Sequence, residues 1–399
     1  MEDARHHALD ELRGTAVPPL LKQSIFEAPI IRGRSNGIDA LRAIFALWVV
    51  IAHLVPRTYQ IQGADKVPGW PYYFTETIVG QLTQASGELH PAVLGFIVLS
   101  GYCIHRNGLR DDAPDVRKYA TRRAFRILPV FWLACALPLV TLPIDSWLDA
   151  AKTLSSNGAT TVFPVCLFAK ATTLTALTSY FDWDGCSGSG NGPLVTVAVE
   201  IWLYIVYAVV FALFVRASRQ RVVLAIMAVS FAVTLGIAFA LGPSADFYNW
   251  WQNSSIGGFL PYWWLGAVLV APGAMTVAKR LFVPLLLVWI VLTAAILYGI
   301  DIGSGVAELR KLVFAIGIGG IIGWLESAAI ADNPLSLIGR AGYSVYAFHS
   351  PLVLLLVLLG LWWPLTLAII VAFGLGVYFV VEKPMIEFGR RRLAAVVAS

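Results

Sequence analysis

The stretch LRAIFALWVVIAHL, residues 41–54, is lipid-soluble except at Arg42 and His53. The two lie eleven positions apart. At ~100° per residue the second side chain returns to within about 20° of the first, ~16 Å further along a helix axis. One face of a helix would thus carry a permanent cation and an imidazole, separated by about half of a hydrocarbon core. An Arg at mid-membrane costs at least ~2.5–3.5 kcal/mol, so this face is expected to point into protein or a wet cavity. The structural alternative has Arg42 reaching back to the interface and His53 as a satisfied polar residue near a helix end. Chemically, neutral imidazole can take a proton from a hydroxyl as it attacks a thioester, which makes His53 a candidate general base or transient acyl carrier.

Further stretches carry polar groups that topology alone does not require. GPLVTVAVEIWLYIVY places Glu200 within an apolar run, with Tyr204 one turn on. A carboxylate there can hold an imidazole in one tautomer or bind an acceptor. FIVLSGYCIH sets Ser100 and Gly101 in another run, and LIGRAGYSVYAFHSP contributes His349. TRRAFRILP gathers Arg122, Arg123 and Arg126 just before an apolar segment. Guanidinium forks hold phosphate oxygens bidentately, although a topogenic basic loop explains such a cluster equally well. Glu382 and Lys383, in VVEKP, read as an interfacial pair, and the chain offers no metal-binding pattern.

The elements that must position these groups are membrane helices. Of 399 residues 58% are hydrophobic and 13% charged, with a mean hydropathy of +0.72, too little charge for a soluble protein of this length. Apolar runs predict an all-α, polytopic protein with ten spans near 38–56, 89–105, 127–143, 193–215, 222–241, 256–271, 281–299, 309–329, 341–360 and 364–382. Segment 160–180 reads as partly buried or re-entrant. Most Lys and Arg fall on one side when both termini are cytoplasmic; Arg310 and Lys311 dissent, at the outer mouth of the eighth span. That distribution accounts for the net charge of +5 without nucleic acid. The division expected is a cytoplasmic tail over 1–35, a membrane domain over 36–385 and a basic cytoplasmic tail over 386–399. Trp183, in the outer loop 144–192, is a candidate sugar-stacking residue, and Cys166 and Cys186 share that loop, where a disulfide is permitted.

These motifs, in this order, resemble acyltransferase family 3, the integral membrane acyltransferases that modify cell-surface glycans. LRAIFALWVVIAH matches its Arg-or-Lys, ten residues, His signature. FIVLSGY, RRAFRILP, GPLVTVAVEIWLY, LIGRAGYSVYAFHSPL and VEKP follow the remaining ones. Val195 stands where the family usually has Trp, and the fused esterase-like domain of some relatives is absent. The resemblance implies a bacterial inner-membrane enzyme moving an acyl group, acetyl by family habit, from cytoplasmic acyl-CoA to a sugar hydroxyl of a lipid-linked or cell-surface polysaccharide. On that reading His53, Glu200 and Arg42 are catalytic. Arg42, Ser100, Arg122, Arg123 and Arg126 hold acyl-CoA, and Tyr204, His349 and Trp183 meet the acceptor. No metal is implied, membrane lipid is the surrounding partner, and a homo-oligomer is left open. The rival reading is a transporter or flippase for a lipid-linked sugar or anionic solute, which buried Arg, His and Glu also suit.

Overall fold

The computed structural model describes residues 35–63, 69, 89–108, 115–147, 164–174, 176, 190–213, 219–242 and 246–398. The N-terminal tail, Trp183 and Cys186 lie outside the described residues, and with Cys186 the pairing with Cys166. Helices make up the described chain, without a strand. They are α1 Asn36–Gln62, α2 Pro91–Gly108, α3 Val116–Ala136, α4 Pro138–Trp147, α5 Pro164–Ala171, α6 Leu194–Leu213, α7 Arg219–Leu241 and α8 Asp246–Ser254. Then come α9 Ile256–Val268, α10 Pro272–Leu297, α11 Gly303–Ser327, α12 Pro334–Arg340, α13 Gly342–Leu358 and α14 Trp363–Val377. A π-helical segment, Tyr378–Glu382, leads into α15, Lys383–Ala398, so the basic tail is helical.

Helix starts follow local side-chain chemistry. Ser35, Asp115 and Ser255 each accept a backbone N–H three residues ahead, at α1, α3 and α9. Asn333 and Ser336 form a reciprocal capping box at α12. A 75° bend at Ala341 then separates α12 from α13.

Among the described residues six helical stretches are long and apolar enough to cross a membrane, and seven if α12 and α13 count as one broken span. Helices occupy all ten predicted segments, but several depart from the simple pattern of a span. The thirteen-residue α9 reaches only ~20 Å. The last turn of α2 is polar, and α11 carries Glu308, Arg310 and Lys311. All three are buried, one to two turns from the start of α11. Lys311 pairs with Glu308 and donates to Gln252 at 2.8 Å, while Tyr248 and Tyr262 donate to Glu308 at 2.8 and 2.6 Å. Arg310 donates to Thr293 at 2.9 Å. Buried charge survives when it is paired and hydrogen-bonded. The apparent exception to the charge rule is therefore an internal network rather than a misplaced loop. The eight-residue α5, within segment 160–180, is too short to span.

The centre and the rim are distinguishable by burial. In the apolar window of α1, 56% of residues are buried inside the protein, against 6% for α10. Accordingly Val283, Leu287, Ile290 and Val291 of α10 are exposed and apolar, as a lipid-facing helix requires. Around α1, α2 runs antiparallel: Arg42 meets Cys103, Phe45 meets Phe96 and Trp48 meets His90. On another side α13 runs parallel, with Gly342 beside Arg42 and His349 beside His53.

A close backbone crossing lies between α2 and α9. A Cβ on Gly101 would fall 1.8 Å from the Trp263 carbonyl oxygen, and one on Gly266 2.0 Å from that of Val98. Only hydrogen fits at either position, so the backbones touch. Gly101→Val is expected to cost ~3 kcal/mol or more by overpacking, read as a lowered Tm in detergent. Gly236→Ala, where nothing lies within 4 Å of the added carbon, should keep or raise Tm. Equal melting of both variants would contradict the crossing.

Candidate active site

A cavity of about 730 Å³ opens among α1, α2, α3, α6, α13 and α15. Its size is that of a small-molecule site. The antiparallel run of α2 gives it a direction. Arg106 and Cys103 lie toward one end, with Arg122, Arg123 and Arg126 of α3, and Phe96 and Val93 lie toward the other. The first end is basic. At the second, Phe96 packs edge-on against Phe45 and Tyr346, with ring centres 5.5 and 6.0 Å apart. This aromatic layer lies at the apolar end of the cavity.

Arg42 sits in the wall between these ends. Its Nη1 pairs with Asp39 at 2.7 Å, one turn earlier on α1, and its Nη2 donates to Cys103 Sγ at 3.2 Å. Two further cations are also spoken for: Arg106 pairs with Glu326, and Arg340 with Asp332 at 2.5 Å. Outside the spanning helices, hydrogen bonds from Arg340 and Ser336 hold the Asp332 carboxyl below the usual carboxylate range. Arg123 differs from these in having no carboxylate partner among the described residues; an unpaired Nε it shares with Arg340. Its Nε is buried without a hydrogen-bond partner among the described residues, and its guanidinium lies 6.0 and 5.9 Å from the rings of Tyr119 and Tyr204. A buried donor left unpaired carries a desolvation cost that an anionic ligand would offset.

Deeper in, Glu200 accepts from Ser100 Oγ at 2.6 Å and from the Tyr204 hydroxyl through the same oxygen. Trp263 Nε1 donates to Ser100 Oγ at 3.3 Å. The i, i+4 spacing of Glu200 and Tyr204 puts both on one face of α6, and Ser100 comes from the facing turn of α2. This carboxylate makes no hydrogen bond to His53.

The partner of His53 is His349. Nδ1 of His53 lies 2.9 Å from Nε2 of His349, and the rings stack at 5.0 Å and 23°. Nδ1 of His349 lies 2.5 Å from the Tyr346 carbonyl oxygen, which can only accept. A neutral His349 must therefore carry its proton on Nδ1 and present Nε2 as an acceptor. His53 Nδ1 then donates, and the lone pair of His53 is left on Nε2. His349 is buried, whereas His53 is exposed. The cavity stops short of this pair by one ring, for Tyr346 lines it and its ring is 5.4 Å from that of His349.

One cavity thus gathers Arg42, Ser100, Arg122, Arg123, Arg126, Glu200 and Tyr204, while His53 and His349 form a second unit beyond its apolar end. Sequence reasoning passed over Asp39, Thr196, Tyr346 and His90. Asp39 and Tyr346 each stand three residues before a group they hold, a spacing that helix geometry makes readable. Thr196 bonds the Tyr346 hydroxyl at 2.5 Å. His90 accepts the Ala92 N–H at 3.1 Å and packs against Trp48 at 5.5 Å. Glu382 is buried, accepting from Ser344 at 2.7 Å, and Lys383 is exposed in the cavity lining, so the two do not form the simple interfacial pair that their adjacency predicts.

No curated protein and no solved structure matches the chain. A family model described as an acyltransferase domain, acyltransferase family 3, matches residues 35–382. That range spans the helix bearing Arg42 and His53, the cavity walls of α2, α3 and α6, and the helix bearing His349. The chain is a member of acyltransferase family 3, a multi-helix membrane acyltransferase.

Proposed function

We propose that this protein is a bacterial inner-membrane O-acyltransferase that takes an acyl group, acetyl first among the options, from cytoplasmic acyl-CoA and places it on a sugar hydroxyl of a lipid-linked or cell-surface polysaccharide. The basic end of the cavity faces the cytoplasm and receives the nucleotide phosphates at Arg122, Arg123 and Arg126. Arg42 and the Ser100–Glu200–Tyr204 group flank the donor's thinner arm. The acyl group passes the Phe96–Tyr346 layer to the histidine pair, which the acceptor approaches from the opposite side.

The observation that carries this reading is the chain from Tyr346 through His349 to His53. It leaves a basic nitrogen on an exposed ring. In the transfer, His53 Nε2 takes the proton of the acceptor hydroxyl as its oxygen bonds to the thioester carbon. The carbon–sulfur bond then breaks, and the departing thiolate takes that proton from His53. An O-acyl sugar and a free CoA thiol result, with no redox partner and no metal in the balance. Glu200 supports donor binding on this account, and His349 replaces it as the group that orients His53.

The test is thiol release from acetyl-CoA by purified protein in detergent, together with mass spectrometry of the surface glycan with and without the protein. His53→Ala should lower transfer by ~10²–10⁴-fold at normal protein level, the usual worth of a positioned base. Wild-type acylation in that variant would refute the assignment, and solute uptake into vesicles without thiol release would favour a transporter. His349→Phe removes the acceptor for His53 Nδ1–H and should reduce kcat by a comparable factor. His349→Gln, which can offer an amide oxygen there, should retain more activity than His349→Phe; the reverse order would overturn the positioning role.

A further inference from the structure

Two cations at the basic end of the cavity come from neither α2 nor α3. Lys383 and Arg390 lie seven residues apart on α15, which at ~100° per residue puts them within about 20° of one face. Both are exposed and both line the cavity. Neither has a carboxylate partner among the described residues, in contrast to Arg42, Arg106 and Arg340. Glu387 shares their face and pairs with neither. The Lys383 ammonium lies only over the Phe379 ring, at 5.9 Å.

The helix that carries them is fixed in place. Phe388 packs edge-on against Phe125 of α3 at 5.5 Å, and a Cβ on Gly389 would lie 2.9 Å from the Phe125 Cβ. The bare backbone of α15 therefore rests on the helix that bears Arg122, Arg123 and Arg126. The buried, unpartnered Nε of Arg123 in the same cavity is an independent sign of an anionic ligand. Lys383 falls in the VEKP stretch at the start of α15, and Arg390 lies beyond the matched range 35–382.

We infer that α15 is the second jaw of a phosphate clamp, with Lys383 and Arg390 joining the α3 arginines to grip the phosphates at the nucleotide end of a CoA thioester. The inference rests on the acyl-CoA reading above. Five cations on two packed helices suit a ligand with several phosphate groups better than a single anion, because guanidinium and ammonium donors spread over more than one phosphate. Anionic lipid headgroups present the same phosphate chemistry, and the experiment separates the two sources.

CoA binding is measured by calorimetry on the full-length protein in a neutral detergent, and again in nanodiscs containing phosphatidylglycerol. The Lys383→Gln/Arg390→Gln double variant should bind CoA about tenfold more weakly or worse in detergent, as expected for lost charge-assisted hydrogen bonds. Its preference for CoA over pantetheine, which lacks the nucleotide phosphates, should shrink by the same factor. Arg392→Gln, two residues on and ~200° around the helix, removes a comparable charge from another face and should bind as wild type. Both substituted lysine and arginine side chains are exposed, so folding is not at stake. Wild-type affinity in the double variant would overturn the clamp, as would an equal loss in Arg392→Gln. A loss confined to nanodiscs would assign these cations to lipid and overturn it too. Absence of CoA binding by the wild-type protein would instead overturn the donor reading itself, and the clamp with it.

Discussion

A guanidinium inside a bundle of apolar helices must be given partners before anything else can be arranged around it. Arg42 obtains them from Asp39, one turn back on its own helix, and from Cys103 across the antiparallel contact with α2. Those bonds fix one face of α1 toward protein rather than lipid. Because the face is helical, His53 is carried to the same side ~16 Å away. The packing of α2 and α13 on that face then follows. One supplies Ser100 to the Glu200–Tyr204 group, and the other supplies His349 to His53.

The outcome divides polar groups into two units with different tasks. Around Glu200 every described hydrogen bond comes from a hydroxyl, so the carboxylate is a well-anchored feature of the cavity wall. At the far end the two imidazoles depend on each other and on one backbone carbonyl. A proton position defined by a main-chain oxygen is set by the helix itself and does not need a second acid. Sharing α1 couples the units: whatever shifts Arg42 along the helix axis shifts His53 with it.

Much of this was legible in the sequence. The Arg42–His53 stripe, the Glu200–Tyr204 turn and the α3 arginines depend on helical spacing, and spacing survives folding unchanged. The partnership of His53 with His349 was not legible, because nearly three hundred residues separate them and only the bend at Ala341 brings α13 alongside α1. The partners of Arg310 and Lys311 were not legible for another reason. Charge counting treats a basic residue near a helix end as a marker of topology and says nothing of the contacts made here, Glu308 and Gln252 with Lys311 and Thr293 with Arg310. Nor does an apolar run reveal that α9 stops after thirteen residues, most of them buried and packed against α2.

The layer of Phe45, Phe96 and Tyr346 has a consequence for the cell as well as for the substrate. A polar passage running unbroken from one side of an energised membrane to the other would conduct protons and salts, and the electrochemical gradient would drain through every copy of the protein. Rings packed edge to face leave little room between them for a file of water. A protein built on this plan can hold a polar chamber inside the lipid barrier without turning that chamber into a pore.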